Sequence, residues 1–113
     1  MTAADAQLDR TFQALADPTR RALVTALLAG DRTVSDLAAP HDMSLAAVSK
    51  HIATLVRAGV VSQRREGRVR ICRLEIETLR PAALWLSATG LVDPLDLDLL
   101  EGRLEDLGLL DAP

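Results

Sequence analysis

Between Gly59 and Glu77 this chain changes its period, and that change constrains the fold more than any other feature. Up to residue 58, apolar residues recur every three or four positions, as on one face of a helix. From Val60 to Leu74, Val and Ile instead interleave with charged residues, as in a strand that is half buried. Glu66-Gly67 divides that stretch into two strands, 60–65 and 68–74, which predicts a hairpin. In the second strand, Arg68 and Arg70 are expected on the face opposite Val69 and Ile71. The helical period returns at Glu77, with Leu79, Ala82, Ala83 and Leu86 around Trp85, and Pro81 is expected near the first helical turn, where it is tolerated.

The helical part is cut into short pieces. Leu8, Phe12 and Leu15 form one stripe over 5–16, which Asp17-Pro18 ends. Asp17 is a good N-cap and Pro18 suits the first position of a second helix, which Gly30 closes. Thr33-Val-Ser-Asp36 has the form of a capping box with Asp in place of Glu, and Pro40 holds the helix it opens to about two turns. Ser44 caps the next helix, whose apolar face is Leu45, Val48, Ile52, Leu55 and Val56, and Gly59 stops it. Two short helices joined by a tight link, the second with a clean apolar face, make a helix-turn-helix over 33–58. A hairpin directly after it, over 60–74, is a wing. A further helix is expected after Asp93-Pro94, so that helices span 77–110.

Composition agrees. Leu and Ala supply 39 of 113 residues, Phe12 and Trp85 are the only aromatics, and Tyr is absent, which favours a mostly helical single domain over a β-sandwich. The fold expected is therefore mostly α, a winged helix-turn-helix with a two-stranded β-hairpin wing and flanking N- and C-terminal helices. One Cys excludes an internal disulfide framework. No apolar run approaches a membrane span and the first ten residues lack the apolar core of a signal peptide, so a cytoplasmic protein without a membrane partner is expected.

The formal net charge of −3 conceals two opposed regions. Residues 44–80 carry 8 Lys/Arg against 3 Asp/Glu, and five of those arginines fall between Arg64 and Arg73. Residues 81–113 carry one basic residue against seven acidic ones, along with 11 Leu. A local basic patch, not the net charge, decides whether nucleic acid can bind. On the second helix of the helix-turn-helix, the face opposite the core presents Ser44, Ala46, Ala47, Ser49, Lys50 and Thr54. These residues are small or polar, so the backbone can approach DNA closely; hydroxyls and Lys50 can meet phosphates or base edges, and Ala methyls can meet thymine methyls. Taken singly, each is an ordinary solvated helix position; agreement with the basic wing makes the set specific for double-stranded DNA. Arg65, Arg68 and Arg70 are the wing contacts. His51 borders the core stripe, as a half-buried packing or phosphate-contacting residue. Cys72 reads as a small apolar residue of the second wing strand in preference to a redox switch.

Three segments together resemble the ArsR-like family of bacterial winged helix-turn-helix repressors: Phe12-Gln-Ala-Leu-Ala-Asp-Pro-Thr-Arg-Arg-Ala-Leu23, Met43-Ser-Leu-Ala-Ala-Val-Ser-Lys-His-Ile52, and Leu55-Val-Arg-Ala-Gly-Val-Val61 with Arg65-Glu-Gly-Arg68. The resemblance spans residues 8–86 and implies a homodimer formed by the first and last helices, an operator-binding repressor, and an effector whose identity is unknown. It also implies a recognition helix containing Val48-Ser-Lys-His51 and a wing tip from Arg65 to Arg70. Metal-sensing members carry a Cys-x-Cys-type motif on the helix before the turn, where this chain has Val34-Ser-Asp-Leu-Ala38, and others use C-terminal histidines, where this chain has none after His51. No metal and no cofactor is therefore expected.

The leucines of 79–110 and the stripe Leu8, Phe12, Leu15 exceed what one small domain covers, so Leu8, Phe12, Leu15, Leu79, Leu84 and Trp85 are the expected dimer contacts. An enzyme is not expected, because no nucleophile–base pair or phosphate-binding glycine loop is present. Two alternatives stay open: a winged helix used for protein contact, against which the arginines weigh, and a repressor switched by oxidation of Cys72.

Overall fold

Each break in the sequence pattern becomes a cap or a corner in the computed structural model, which describes residues 1–89. Helix α1 (Ala3–Leu15) starts with a capping box in which Thr2 and Asp5 bond reciprocally. Asp17 Oδ1 accepts from the Arg20 amide at 3.1 Å and opens α2 (Pro18–Leu27). Thr33 accepts from the Asp36 amide at 3.0 Å to open α3 (Val34–Ala38), and Ser44 accepts from the Ala47 amide at 3.1 Å to open α4 (Leu45–Arg57). Gly59, at φ 77°, takes the left-handed step that ends α4. Strands β2 (Val61–Glu66) and β3 (Val69–Leu74) form the hairpin, and α5 (Ile76–Ala88) follows. The helix expected after Pro94 lies outside the described residues.

The sheet differs from the expected two-stranded hairpin. A third strand, β1 (Arg32–Thr33), pairs antiparallel with β3, Arg32 opposite Cys72 and Thr33 opposite Ile71, giving the order β1-β3-β2. Two residues are too few to show an alternating pattern, and the local signal at Thr33 is its capping role. The hairpin turn is Gly67-Arg68, with Gly67 at φ 62°, so Arg68 sits in the turn before β3 begins. Pro81 is the sixth residue of α5, beyond its first turn; it is exposed and supplies no N–H to the carbonyl of Glu77.

The core is aliphatic. Leu23 and Leu27 of α2, Leu37 of α3, Val48, Ile52 and Leu55 of α4, and Val60, Val61, Cys72 and Leu74 around the sheet pack together. Leu45 and Val56, expected on the apolar face of α4, are 55% and 36% exposed: Leu45 stands in the first turn, beyond the core's edge, and Val56 is rotated about 100° past Leu55. From α1 the core receives Thr11 and Ala14, while the stripe Leu8, Phe12, Leu15 is only half-buried. Gln7 anchors α1 to the end of α4 by donating to the carbonyl of Ala58 at 2.8 Å.

Leu55 is fully buried where α4 meets α2 and the sheet. Leu55→Ala is expected to cost about 2–5 kcal/mol. Leu28→Ala, at a site 51% exposed, is expected to stay within about 0.5 kcal/mol. Urea unfolding at one protein concentration checks both, with the slope unchanged.

Candidate nucleic-acid interface

Burial of Val48, Ile52 and Leu55 fixes which side of α4 is left outside. Ser44, Ala46 and Lys50 are exposed there, and Ala47, Ser49 and Thr54 are half-buried at the margins. The Ser44 hydroxyl is engaged as the helix cap, and the Thr54 hydroxyl donates to the Lys50 carbonyl at 3.2 Å. Lys50 and Ser49 are thus the side chains of this face with polar groups not already committed to the helix backbone. His51 turns inward. Arg20 Nη1 lies 3.3 Å from His51 Nδ1, and since a guanidinium only donates, that nitrogen is the acceptor in this contact. Asp17 Oδ1 stands 3.9 Å from the same nitrogen, too far for a hydrogen bond.

The wing sorts its arginines by strand register. Arg64 and Arg73 both reach Asp31, at 2.9 and 3.3 Å, and Arg64 also bonds Glu66 at 3.2 Å. The Arg64 guanidinium is the main influence holding the Asp31 carboxyl below its usual range, and Asp31 in turn raises Arg64. Arg65 lies directly opposite Arg70 in the ladder. Like charges so placed repel, and among the described residues neither these two nor Arg68 has an acidic partner within ion-pair distance. The expected opposition of Arg68 and Arg70 to Val69 and Ile71 is only partly realised. Arg70 shares the face of Cys72 and Leu74, Arg68 lies in the turn, and at the tip both faces are exposed because the hairpin extends past the core.

An open groove of about 450 Å³ joins the two parts. Ser35 of α3, Leu45 and Ser49 of α4, and Arg68, Val69 and Arg70 of the wing line it. The structure thus brings Ser49, Arg68 and Arg70 together, while Thr54 lies toward the other end of α4. Sequence reading missed Ser35, whose place depends on how α3 meets the wing, and Asp31, which separates the neutralised arginines from the others. Among the described residues no three His, Cys, Asp or Glu side chains converge on a common point, and no helix is long and apolar enough to cross a membrane.

A helix-turn-helix made by α3 and α4, packed on α2 and followed by an arginine-tipped wing, is the architecture of a DNA-binding domain, and the comparisons agree. A family model described as a helix-turn-helix domain matches residues 15–64. The transcriptional repressor SdpR of Bacillus subtilis is 32% identical over 79 residues, covering 70% of this chain and 88% of SdpR. The crystal structure of an ArsR family transcriptional regulator is 43% identical with a TM-score of 0.72, over 80% of this chain and 93% of that one. The solution structure of a homodimeric winged helix-turn-helix DNA-binding domain from Mycobacterium bovis, a possible ArsR-family regulator, is 27% identical with a TM-score of 0.63, over 79% and 88% of the two chains. This chain belongs to the ArsR family of winged helix-turn-helix DNA-binding transcriptional regulators, which is not a class of enzymes.

Cys72 is fully buried at the centre of β3, its sulfur 3.7 Å from Gln63 Nε2, and burial raises the thiol above its ordinary value. A protonated, enclosed thiol is a poor nucleophile. In the folded protein at pH 8, Cys72 is expected to react with Ellman's reagent at least tenfold more slowly than in urea. Equal rates would show an accessible thiolate and favour redox switching.

Proposed function

We propose that this protein is a homodimeric repressor that binds an inverted-repeat operator in the cytoplasm. The observation that carries the reading is the wing's charge sorting. Arg64 and Arg73 are neutralised by Asp31, whereas Arg65, Arg68 and Arg70 carry charge without an acidic partner among the described residues, and Arg68 and Arg70 share a groove with Ser49 of α4. A duplex supplies the missing anions as phosphates. In this reading α4 enters the major groove, Ser44, Ala46, Ala47, Ser49 and Lys50 face the bases or adjoining phosphates, and the wing arginines meet phosphates or the minor groove. Thr54 contacts the flank, and His51 serves chiefly to hold α4 against Arg20. With one Cys and two His in the chain, the reading includes no thiolate or imidazole metal site of the kind metal sensors use. It assigns no effector.

The dimer contact is proposed on α1 and α5. Phe12 and Trp85 meet edge to face, with centroids 5.8 Å apart and planes at 72°. Trp85 stays 47% exposed and lines an open hollow with Leu8 and Phe12, while Leu84 is 60% exposed and Leu15 half-buried. Leu79 packs on the core and buttresses α5 from inside. The homodimeric state of the Mycobacterium bovis domain supports a homodimer here as well. A two-fold axis through this face sets two recognition helices ~34 Å apart, one turn of the duplex. Sedimentation at micromolar concentration is expected to show a dimer, shifted toward monomer by Leu84→Ser with Trp85→Ala. A wild-type monomer at every concentration would refute the dimer.

The two parts of the interface are expected to fail differently. Lys50→Ala should cost ~1–3 kcal/mol on the operator and narrow its advantage over scrambled duplex. Arg68→Ala should weaken both duplexes together and lower the slope of log affinity against log salt by up to about 1.8 per dimer, about 0.9 for each phosphate left without its arginine. Fluorescence anisotropy across a salt series measures both. If Arg68→Ala changes neither affinity nor slope, the wing does not touch DNA, and protein binding becomes the better reading.

A further inference from the structure

A second open hollow, of about 400 Å³, lies toward the C-terminal end of α4 and is walled by α1 and α2 instead of the wing. Three arginines from three helices line it: Arg10 of α1, Arg20 of α2 and Arg57 of α4. Ala14 and Ala58, both buried and small, lie among them and leave the space open. Among the described residues, none of the three guanidiniums has a carboxylate within 4.0 Å. Their partners are uncharged acceptors or the His51 ring. Arg10 donates to the Gln7 side-chain oxygen at 2.9 Å, Arg57 to the Thr54 hydroxyl at 3.2 Å, and Arg20 to the carbonyls of Ala14 and Gln13 at 2.6 and 3.2 Å.

Part of this arrangement is structural. Arg20 satisfies the last carbonyls of α1, and Arg57 sits in the last turn of α4, where a cation suits the negative end of the helix dipole. Neither role explains Arg10, which stands in the middle of α1 and lines the same hollow. Each guanidinium has five N–H donors, and Arg10 and Arg57 commit one each to the bonds above. Three like charges around one concavity repel one another, and an anion with several acceptor oxygens relieves that repulsion while accepting bidentate bonds.

We infer that this hollow binds a phosphate group, held by Arg10 and Arg57 at the rim and by the free N–H groups of Arg20 at the wall. The phosphate comes either from duplex backbone flanking the recognition helix or from a small free phosphate. In both cases it ties α1, on which the dimer is proposed to rest, to α4, which is proposed to read the operator. The backbone source rests on the DNA-binding reading; the free source does not.

The test uses the full chain with Arg10→Gln and Arg57→Gln together, both exposed positions. In the first arm, operator binding is followed by anisotropy across a salt series. A fall of up to about 1.8 in the slope per dimer, one phosphate per protomer, assigns the backbone source. In the second arm, the DNA-free protein is titrated with inorganic phosphate at ionic strength held constant with sodium chloride, while the amides of Gln13, Thr54 and Arg57 are followed by NMR. Saturable shifts that vanish in the double variant assign the free source. The Arg10→Lys, Arg57→Lys protein, which keeps both charges, is expected to retain the salt slope. An unchanged slope together with no saturable shift overturns the inference. If Arg68→Ala lowers the slope in the same experiment, the DNA reading stands without it.

Discussion

Burial of Val48, Ile52 and Leu55 is the constraint from which the rest of the interface follows. These three residues lie on one side of α4, against Leu23 and Leu27 of α2, Leu37 of α3 and the base of the hairpin. Once that side is buried, a rotation of α4 by even one residue, about 100°, would bring Ser49 or Ala53 into an aliphatic core and expel a branched side chain. The outward side is thereby fixed without contributing to its own placement. This is why it can consist of small and polar residues: packing energy holds the helix, and the exposed face is free to be chosen for what it touches.

Those parts of the fold that rest on local chemistry are legible in the sequence. Asp17, Thr33 and Ser44 each cap the helix they are expected to open, and Gly59 ends α4 in the left-handed conformation its place implies. What is not legible depends on partners distant along the chain. Strand β1 has two residues and exists because Arg32 and Thr33 meet Cys72 and Ile71, some forty positions away. The polar anchor from Gln7 to the Ala58 carbonyl is likewise a product of tertiary packing, and so is the choice of Thr11 and Ala14 as the core face of α1. The stripe Leu8, Phe12, Leu15 has the stronger apolar signal, yet it is only half-buried here. A hydrophobic period shows that a face will be covered; it does not say whether the cover is the chain's own core.

The candidate site divides in the same way. Five arginines within ten residues mark a basic wing, and any reading of the sequence finds them. Their unequal roles follow from Asp31, whose carboxylate takes Arg64 and Arg73 across 33 and 42 residues of chain. Strand alternation makes this division possible, since Arg64 and Arg73 share one face of the sheet with Ile71 while Arg65 and Arg70 share the other. Composition counts charge, but only register tells which charges are already answered. Thr54 shows the converse: its hydroxyl is tied to its own helix and to Arg57, so its polarity in the sequence overstates its availability.

Arg20 links these levels. Its guanidinium closes the end of α1 through the Ala14 and Gln13 carbonyls, its backbone amide donates to the Asp17 cap that starts α2, and its outer nitrogen meets His51 on α4. One residue therefore sets the corner between two helices and braces a third. The Asp17 carboxyl is held below its usual range chiefly by the hydrogen bond from the Arg20 amide, with the Thr19 amide and the charge of the Arg20 guanidinium adding to the effect. Since the folded pKa is depressed, this cap contributes fully above the unfolded carboxylate value and is lost as pH falls through the lower folded one. At neutral pH the corner is intact. A rigid corner here matters for recognition because two copies of α4 can match successive turns of a duplex only if each is held at a fixed position relative to α1 and α5, where the dimer is proposed to form.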